Sequence, residues 1–175
     1  IHVNGDFHGT VLSAGGELKN TVCLAKDNLF YLSPHIGDVG CVRSEAAQHE
    51  CAERLRDLLE ITPQCGAADI HPAYESAQLV KQARIPVIPV QHHYAHILSC
   101  MAENGCSDEV IGIALDGTGY GTDGTIWGGE VLRVSYDGFT RLGSVSPFLH
   151  AGGDAAVRDG WRSALSFMYT PVSYT

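Results

Sequence analysis

The chain has 175 residues, of which 45% are hydrophobic and 18% charged, enough apolar content for one ordinary core or two small lobes and too much for a disordered polymer. Its formal net charge of −9 leaves no Lys/Arg cluster to neutralise phosphates, which argues against a nucleic-acid surface. No apolar run approaches the roughly 20 residues of a membrane span and no signal peptide opens the sequence; six cysteines at irregular gaps, with no CxxC pair, fit free thiols in a reducing cytoplasm.

Residues 1–10 are polar and Gly-rich, as in a loop or leader. Three short β-like runs follow at 10–14, 21–25 and 29–32, joined by the turns GGELKN and KDN. At 44–59 the period becomes helical, with Ala47, Cys51, Leu55, Leu58 and Leu59 on one stripe and Ser44 offered as the N-cap. A short run at 67–70 leads through Pro72 into a second helix at 74–82. The strand at 85–90 holds Pro86 and Pro89, which places it at a sheet edge. A third helix spans 92–104, closed by Gly105. This alternation predicts an α/β layer with parallel strands.

After residue 108 the order starts again: a buried-type strand at 109–115, a Gly/Thr-rich turn, strands at 125–127, 130–135 and 141–145, and a helix from about 155. A repeated unit of three strands and a helix is the arrangement by which actin-like proteins clasp a nucleotide between two lobes.

Four blocks offer chemistry. In QHHYAH, His92 and His96 stand one helical turn apart and can ligate one ion, while His93 points elsewhere. Imidazole donors without thiolate suit Zn or Fe, and the absent Glu of HExxH disfavours a zincin protease. Surface histidines at a helix start would show the same spacing. In LDGTGYGTDGT, Asp116 ends an apolar strand and Gly117, Thr118 and Gly119 can bring backbone N–H groups to an anion. A plain Gly/Asp hairpin turn is the other reading. Should His92, His96 and Asp116 converge, they would form a two-His, one-carboxylate site with open positions, suited to a substrate-binding Lewis acid. Asp69 and His71 of DIHP sit where a strand hands over to a helix, a position that carries functional groups or merely starts the helix. Gly152, Gly153 and Asp154 precede the last helix as an anion or ribose site, or as a simple cap. In GGELKN, Lys19 or Asn20 either touches an anion or belongs to a solvated turn.

Taken in order, GGELKNTVCLAK, LSPHIGD, DIHPAYES, VQHHYAHILSCMAENG, LDGTGYGTDGTIWGGE and GGDAAVRDGWR resemble the actin-like carbamoyltransferase domain of the HypF hydrogenase-maturation family over residues 11–168. That domain is related to threonylcarbamoyl-tRNA transferases and antibiotic O-carbamoyltransferases. The resemblance implies an actin-like, ribonuclease H-like α/β fold with a first lobe at 11–107, an incomplete second lobe at 108–169 and a tail at 170–175. It implies a divalent metal, Fe or Zn, on His92, His96 and Asp116, with a further Asp expected later than this sequence extends. It also implies nucleotide contacts at Gly152, Gly153 and Asp154, and a transfer-site loop holding Asp69 and His71. In the family a separate domain makes carbamoyl-adenylate from carbamoyl phosphate and ATP. The actin-like domain passes the carbamoyl group to the C-terminal Cys of the partner HypE, and that group eventually supplies cyanide to [NiFe] hydrogenase. The zinc-finger and adenylate-forming parts of the family are not in this sequence, so a fragment is expected. A remnant that binds without turnover, or an O-carbamoyl or threonylcarbamoyl transferase of the same fold, are the alternatives.

Overall fold

The computed structural model describes residues 1–149 and 151–169, without the side chains of Asp154 and Val157. They form two compact units, Ile1–Gly143 and a second from Ser144 onward. The expected tail at 170–175 lies outside the described residues.

The first unit holds two main sheets. In the first, β1 (Thr10–Ser13), β2 (Cys23–Lys26) and β3 (Leu29–Leu32) form antiparallel hairpins, and β4 (Cys65–Asp69) and β5 (Val87–Val90) join parallel to β1, giving the order β3-β2-β1-β4-β5. Parallel neighbours need long crossovers. Helix α1 (Val42–Leu59) supplies one; a 3-10 turn (Glu75–Ala77) running into α2 (Gln78–Gln82) supplies the other. The Pro-bearing strand β5 is at the sheet edge, as its prolines require. Residues 1–9 run beside β3: Val3 is buried and its N–H donates to Asn28 O at 2.9 Å.

One local expectation fails in α1 and another holds in part. The helix begins three residues early: Cys41 is the N-cap, and Ser44 sits inside the first turn, where its Oγ accepts from the Cys41 N–H at 3.3 Å. The expected stripe is half-buried at Ala47, Cys51, Leu55 and Leu59, and Leu55 and Leu59 pack against the first core. Gln48 and Ala52 are the fully buried positions, whereas Leu58 is 79% exposed. The reason is polar: the Gln48 amide donates to Ala14 O at 2.9 Å and Ser76 O at 3.2 Å, turning that face inward. Beneath it lies the first core, built on Leu12, Val22, Leu24, Ala68 and Val80.

Helix α3 (His92–Glu103) packs on the second sheet, whose order is β10-β9-β6, from β6 (Val110–Ala114), β9 (Glu130–Ser135) and β10 (Gly138–Ser144). The second core joins Ile97 and Met101 of α3 to Leu132, Val134 and Trp127. Strands β6 and β9 are antiparallel, with Ala114 opposite Glu130, and a small hairpin of β7 (Gly119–Tyr120) and β8 (Ile126–Trp127) projects between them. In the second unit the single helix expected near 155 is two, α4 (Asp154–Arg158) and α5 (Gly160–Tyr169). They part at Asp159, whose φ of −106° and ψ of 84° leave the helical region and whose carboxylate accepts from Arg162 Nε at 3.0 Å. All six cysteines are free, and among the described residues no helix is long and apolar enough to cross a membrane.

Strand β4 starts at Cys65, two residues before the expected run, because Gly66 hides the strand pattern. Glycine is required there by packing: a Cβ at Gly66 would lie 2.6 Å from Val80 Cβ. Gly66→Ala is therefore expected to destabilise the chain by about 1–3 kcal/mol, and the Gly66→Ala/Val80→Gly pair, which removes the opposing Cβ, to lose less than the sum of its two single changes. Urea unfolding of the two variants checks this, and an additive double variant would contradict it.

Candidate metal centre

The parallel pairing of β4 and β5 sets Asp69 opposite Val90, so the residues that follow β5 emerge beside the Asp69 carboxylate. Gln91 caps α3 by accepting the Tyr94 N–H at 2.9 Å, which fixes His92 as the first helical residue. The His92 ring then lies between two acids. Its Nδ1 is 2.9 Å from Asp69 Oδ2, and its Nε2 is 2.7 Å from Asp116 Oδ2. His96, one turn further along, brings its Nε2 to 3.3 Å from His92 Nε2 and 3.6 Å from Asp116 Oδ2. The structure thus brings His92, His96 and Asp116 together, with one donor atom from each lying within 4.8 Å of the others.

A divalent ion with bonds of about 2.0–2.2 Å needs donors roughly 3.0–3.6 Å apart. The two His96 separations meet that requirement, and the direct His92–Asp116 hydrogen bond would open by a few tenths of an ångström. The two-nitrogen, one-oxygen set fits Fe or Zn. Asp69 adds the carboxylate that metal-binding imidazoles carry on their other nitrogen, where it sets ring orientation and tautomer. Its side chain is 7% exposed, and its second oxygen accepts the His71 N–H at 2.9 Å.

The electrostatics follow from this arrangement. The hydrogen bond to Asp69 raises the His92 pKa, burial opposes it, and Asp116 adds to the rise. Burial pushes Asp116 up, but the hydrogen bond and charge of His92, the Gly117 N–H and the charge of His96 outweigh it and hold the carboxyl below its ordinary range.

The other expected site residues are placed as follows. His71 accepts the Ala73 N–H at Nδ1 (3.2 Å), stacks on Tyr74 with ring centroids 4.0 Å apart, and meets the edge of Tyr120 at 5.1 Å. In its neutral form the His71 proton is therefore on Nε2. Gly117 is exposed but spends its N–H on Asp116 Oδ1 (2.9 Å), Thr118 is exposed, and Gly119 is buried against the start of α3. Gly152 and Gly153, both at positive φ, lie in the second unit ahead of α4, whose first residue is Asp154. Asn20 is neither solvated nor available to an anion: it is 1% exposed and its amide donates to Ala14 O at 2.8 Å.

Several residues with no sequence signal shape the site. Glu17 accepts the N–H groups of Glu75 and Ser76, tying the first hairpin to the loop that carries His71. Glu130 is fully buried; it accepts from Gly128 N–H at 3.1 Å and from Arg141 at 2.7 and 3.0 Å, while Arg141 stacks on Trp127 with 4.2 Å to the ring centroid.

The fold and its strand-end carboxylates define a Kae1-like domain of the actin-like class. Residues 6–103 match the family model described as the HypF Kae1-like domain, and residues 112–174 match the carbamoyltransferase Kae1-like domain, second subdomain. The chain belongs to the HypF Kae1-like domain family. It is 44% identical to carbamoyltransferase HypF of Synechocystis sp. over 91% of this chain and 21% of that protein, and 42% identical to the carbamoyltransferase HypF homolog of Cupriavidus necator over 94% of this chain and 43% of that one. A solved full-length HypF in its phosphate- and nucleotide-bound form superposes with a TM-score of 0.91 at 39% identity, covering 99% of this chain and 28% of that chain. The chain thus spans about a fifth of the Synechocystis relative and under half of the Cupriavidus one.

The pKa shifts predict how the metal-free chain responds to pH. His92 is raised on folding, so its contribution is full below the ordinary histidine value and fades as pH rises through the raised pKa. Asp116 is lowered, so its contribution is present above the ordinary carboxylate value and fades as pH falls through the depressed one. With chelator present, the melting-temperature advantage over His92→Gln should be greatest near about pH 5–6 and shrink as pH rises past the ordinary histidine value. An advantage that grows with pH would contradict the ion-pair geometry.

Proposed function

We propose that this chain is carbamoyl-transfer machinery: it holds a divalent ion, Fe or Zn, on His92, His96 and Asp116 and receives carbamoyl-adenylate, whose carbamoyl group passes to the C-terminal Cys of a HypE-like acceptor protein. The observation that carries this reading is the convergence of two imidazoles and one carboxylate on a common point, backed by Asp69. Membership in the HypF Kae1-like family and relatives named carbamoyltransferases support the reaction type, and carbamoyl-adenylate and the Cys acceptor are what the sequence resemblance implies.

When bound, the ion supplies Lewis acidity, stabilising negative charge that grows on the carbamoyl and phosphate oxygens. Everything else falls to the protein. Asp69 holds the His92 ring through Nδ1, leaving Nε2 aimed at the common point. His96, more exposed than His92, leaves one side of the site open to substrate. Thr118 and the exposed backbone at Gly117 line the rim of the turn that carries Asp116. His71, fixed by Ala73 N–H and two aromatic rings, presents an Nε2–H to hydrogen-bond a substrate oxygen. In the transfer the acceptor thiolate forms a C–S bond to the carbamoyl carbon, the C–O bond to the adenylate phosphate breaks, and AMP departs with the electron pair. No cysteine of this chain is required, since the acceptor brings the nucleophile. Carbamoyl phosphate and ATP enter upstream, through the adenylate-forming part of the longer family proteins.

His96→Ala is expected to weaken divalent-metal affinity by about 10–100-fold. Placed in a longer HypF protein, the same substitution should abolish carbamoyl transfer to a Cys-ended HypE-type peptide, read by peptide mass. Undiminished transfer would reject the assignment. Transfer to a hydroxyl acceptor and not to the thiol would move the chain to the O-carbamoyl reading, and metal binding with no transfer to either acceptor would leave a binding module.

A further inference from the structure

We propose that His93 is a positioning residue of this centre: together with Gln91 it holds the turn from Asp116 to Tyr120 at the distance from α3 at which Asp116 meets His92 and His96. The inference rests on the metal reading above and goes beyond its ligands.

His93 follows a candidate ligand in sequence yet faces the opposite way and is completely buried. Its neighbour Gln91, 3% exposed, uses both ends of its amide. The Oε1 accepts the Tyr94 N–H, while Nε2 donates to Tyr120 O at 3.1 Å and meets His93 Nδ1 at 3.2 Å. Two amide hydrogens thus serve one acceptor on the turn and one on the imidazole. Because Nδ1 is the acceptor, the proton of the neutral ring sits on Nε2.

Contact on the other side of the ring is steric. A Cβ at Gly119 would lie 2.6 Å from His93 Cε1, 2.9 Å from His93 Nδ1 and 2.9 Å from His92 Cβ. The turn therefore rests directly on the imidazole, with no room for a side chain between them. His93 Nε2 is buried without a hydrogen-bond partner among the described residues. A buried N–H left unpaired is costly, and an apolar side chain of similar size would avoid that cost. Phe or Leu would, however, leave a Gln91 amide hydrogen without its acceptor. What the imidazole supplies is Nδ1, which holds the Gln91 amide whose other hydrogen holds Tyr120 O on the turn.

The test compares His93→Phe, which keeps a ring but no acceptor, with His93→Gln, which keeps an acceptor. Both are made in the 175-residue chain. Co2+ is the probe, read by chelator competition and by its ligand-field absorption; metal-free melting is read alongside. His93→Phe is expected to stay folded, to bind Co2+ about 10–100-fold more weakly and to shift its absorption. His93→Gln restores most of the affinity. Unchanged Co2+ affinity and spectrum in a folded His93→Phe variant would overturn the proposal. Should that variant fail to fold, Gln91→Leu takes its place, with the same loss expected and the same outcome overturning. Failure of the unsubstituted chain to bind Co2+ would count against the metal reading instead. Amide shifts in the metal-free variant would then decide the role of His93: changes across Gly117–Tyr120 support it, and changes confined to 91–94 overturn it.

Discussion

The imidazole of His92 stands between two carboxylates delivered by two different sheets, and the rest of the site depends on that placement. Asp69 comes from the end of a parallel strand in the first sheet, and Asp116 follows an antiparallel strand in the second. His92 opens the helix that connects them. Neither acid is near His92 in sequence, so the contact exists only when both sheets are formed and in register. A one-residue slip of β4 against β5 would turn Asp69 to the other face of the sheet and leave Nδ1 without its partner. The half-buried setting strengthens these interactions relative to water, so the same register that aligns the strands also fixes the protonation of the ring.

The turn between Asp116 and Glu130 is glycine-rich yet not slack. Gly129 N–H donates to Asp116 O at 3.1 Å, and a Cβ at Gly128 would lie 2.5 Å from Gly117 O, so the outgoing and returning arms lie against each other. At the far end Asp123 accepts from Thr125 and from Trp127 Nε1. The buried Glu130 carboxylate is matched by the Arg141 fork, an arrangement in which losing one partner strands the other charge. Glycines allow the close approach; side chains outside the turn supply its stiffness.

How much of this was legible in the sequence differs by feature. The i,i+4 spacing of His92 and His96, the strand-end place of Asp116 and the edge position of β5 follow from local periodicity and from proline, so the chain states them directly. The meeting of Asp69 with His92 does not, because it depends on parallel pairing between strands about twenty residues apart. Gln91 is a poor N-cap by propensity and gave no signal; it caps because its other amide end is claimed by Tyr120 and His93. The face of α1 is legible only in part for a related reason. Leu55 and Leu59 pack on the core as the hydrophobic stripe predicts, but Leu58 is exposed, and the deepest position belongs to a buried glutamine reaching two carbonyls. In each case a polar side chain with distant partners overrode a local pattern. The glycine in β4 has the same effect on that strand's boundary, since its value lies in letting Val80 approach.

The contact between Gly119 and His93 also constrains how such a chain can diverge. Any residue with a side chain at 119 collides both with the imidazole and with the His92 Cβ, 2.9 Å away, so a smaller residue at 93 alone would not free the position. Every residue but glycine keeps a Cβ at 92, so glycine is expected to stay at 119 for as long as a histidine stands at 92, whatever 93 becomes.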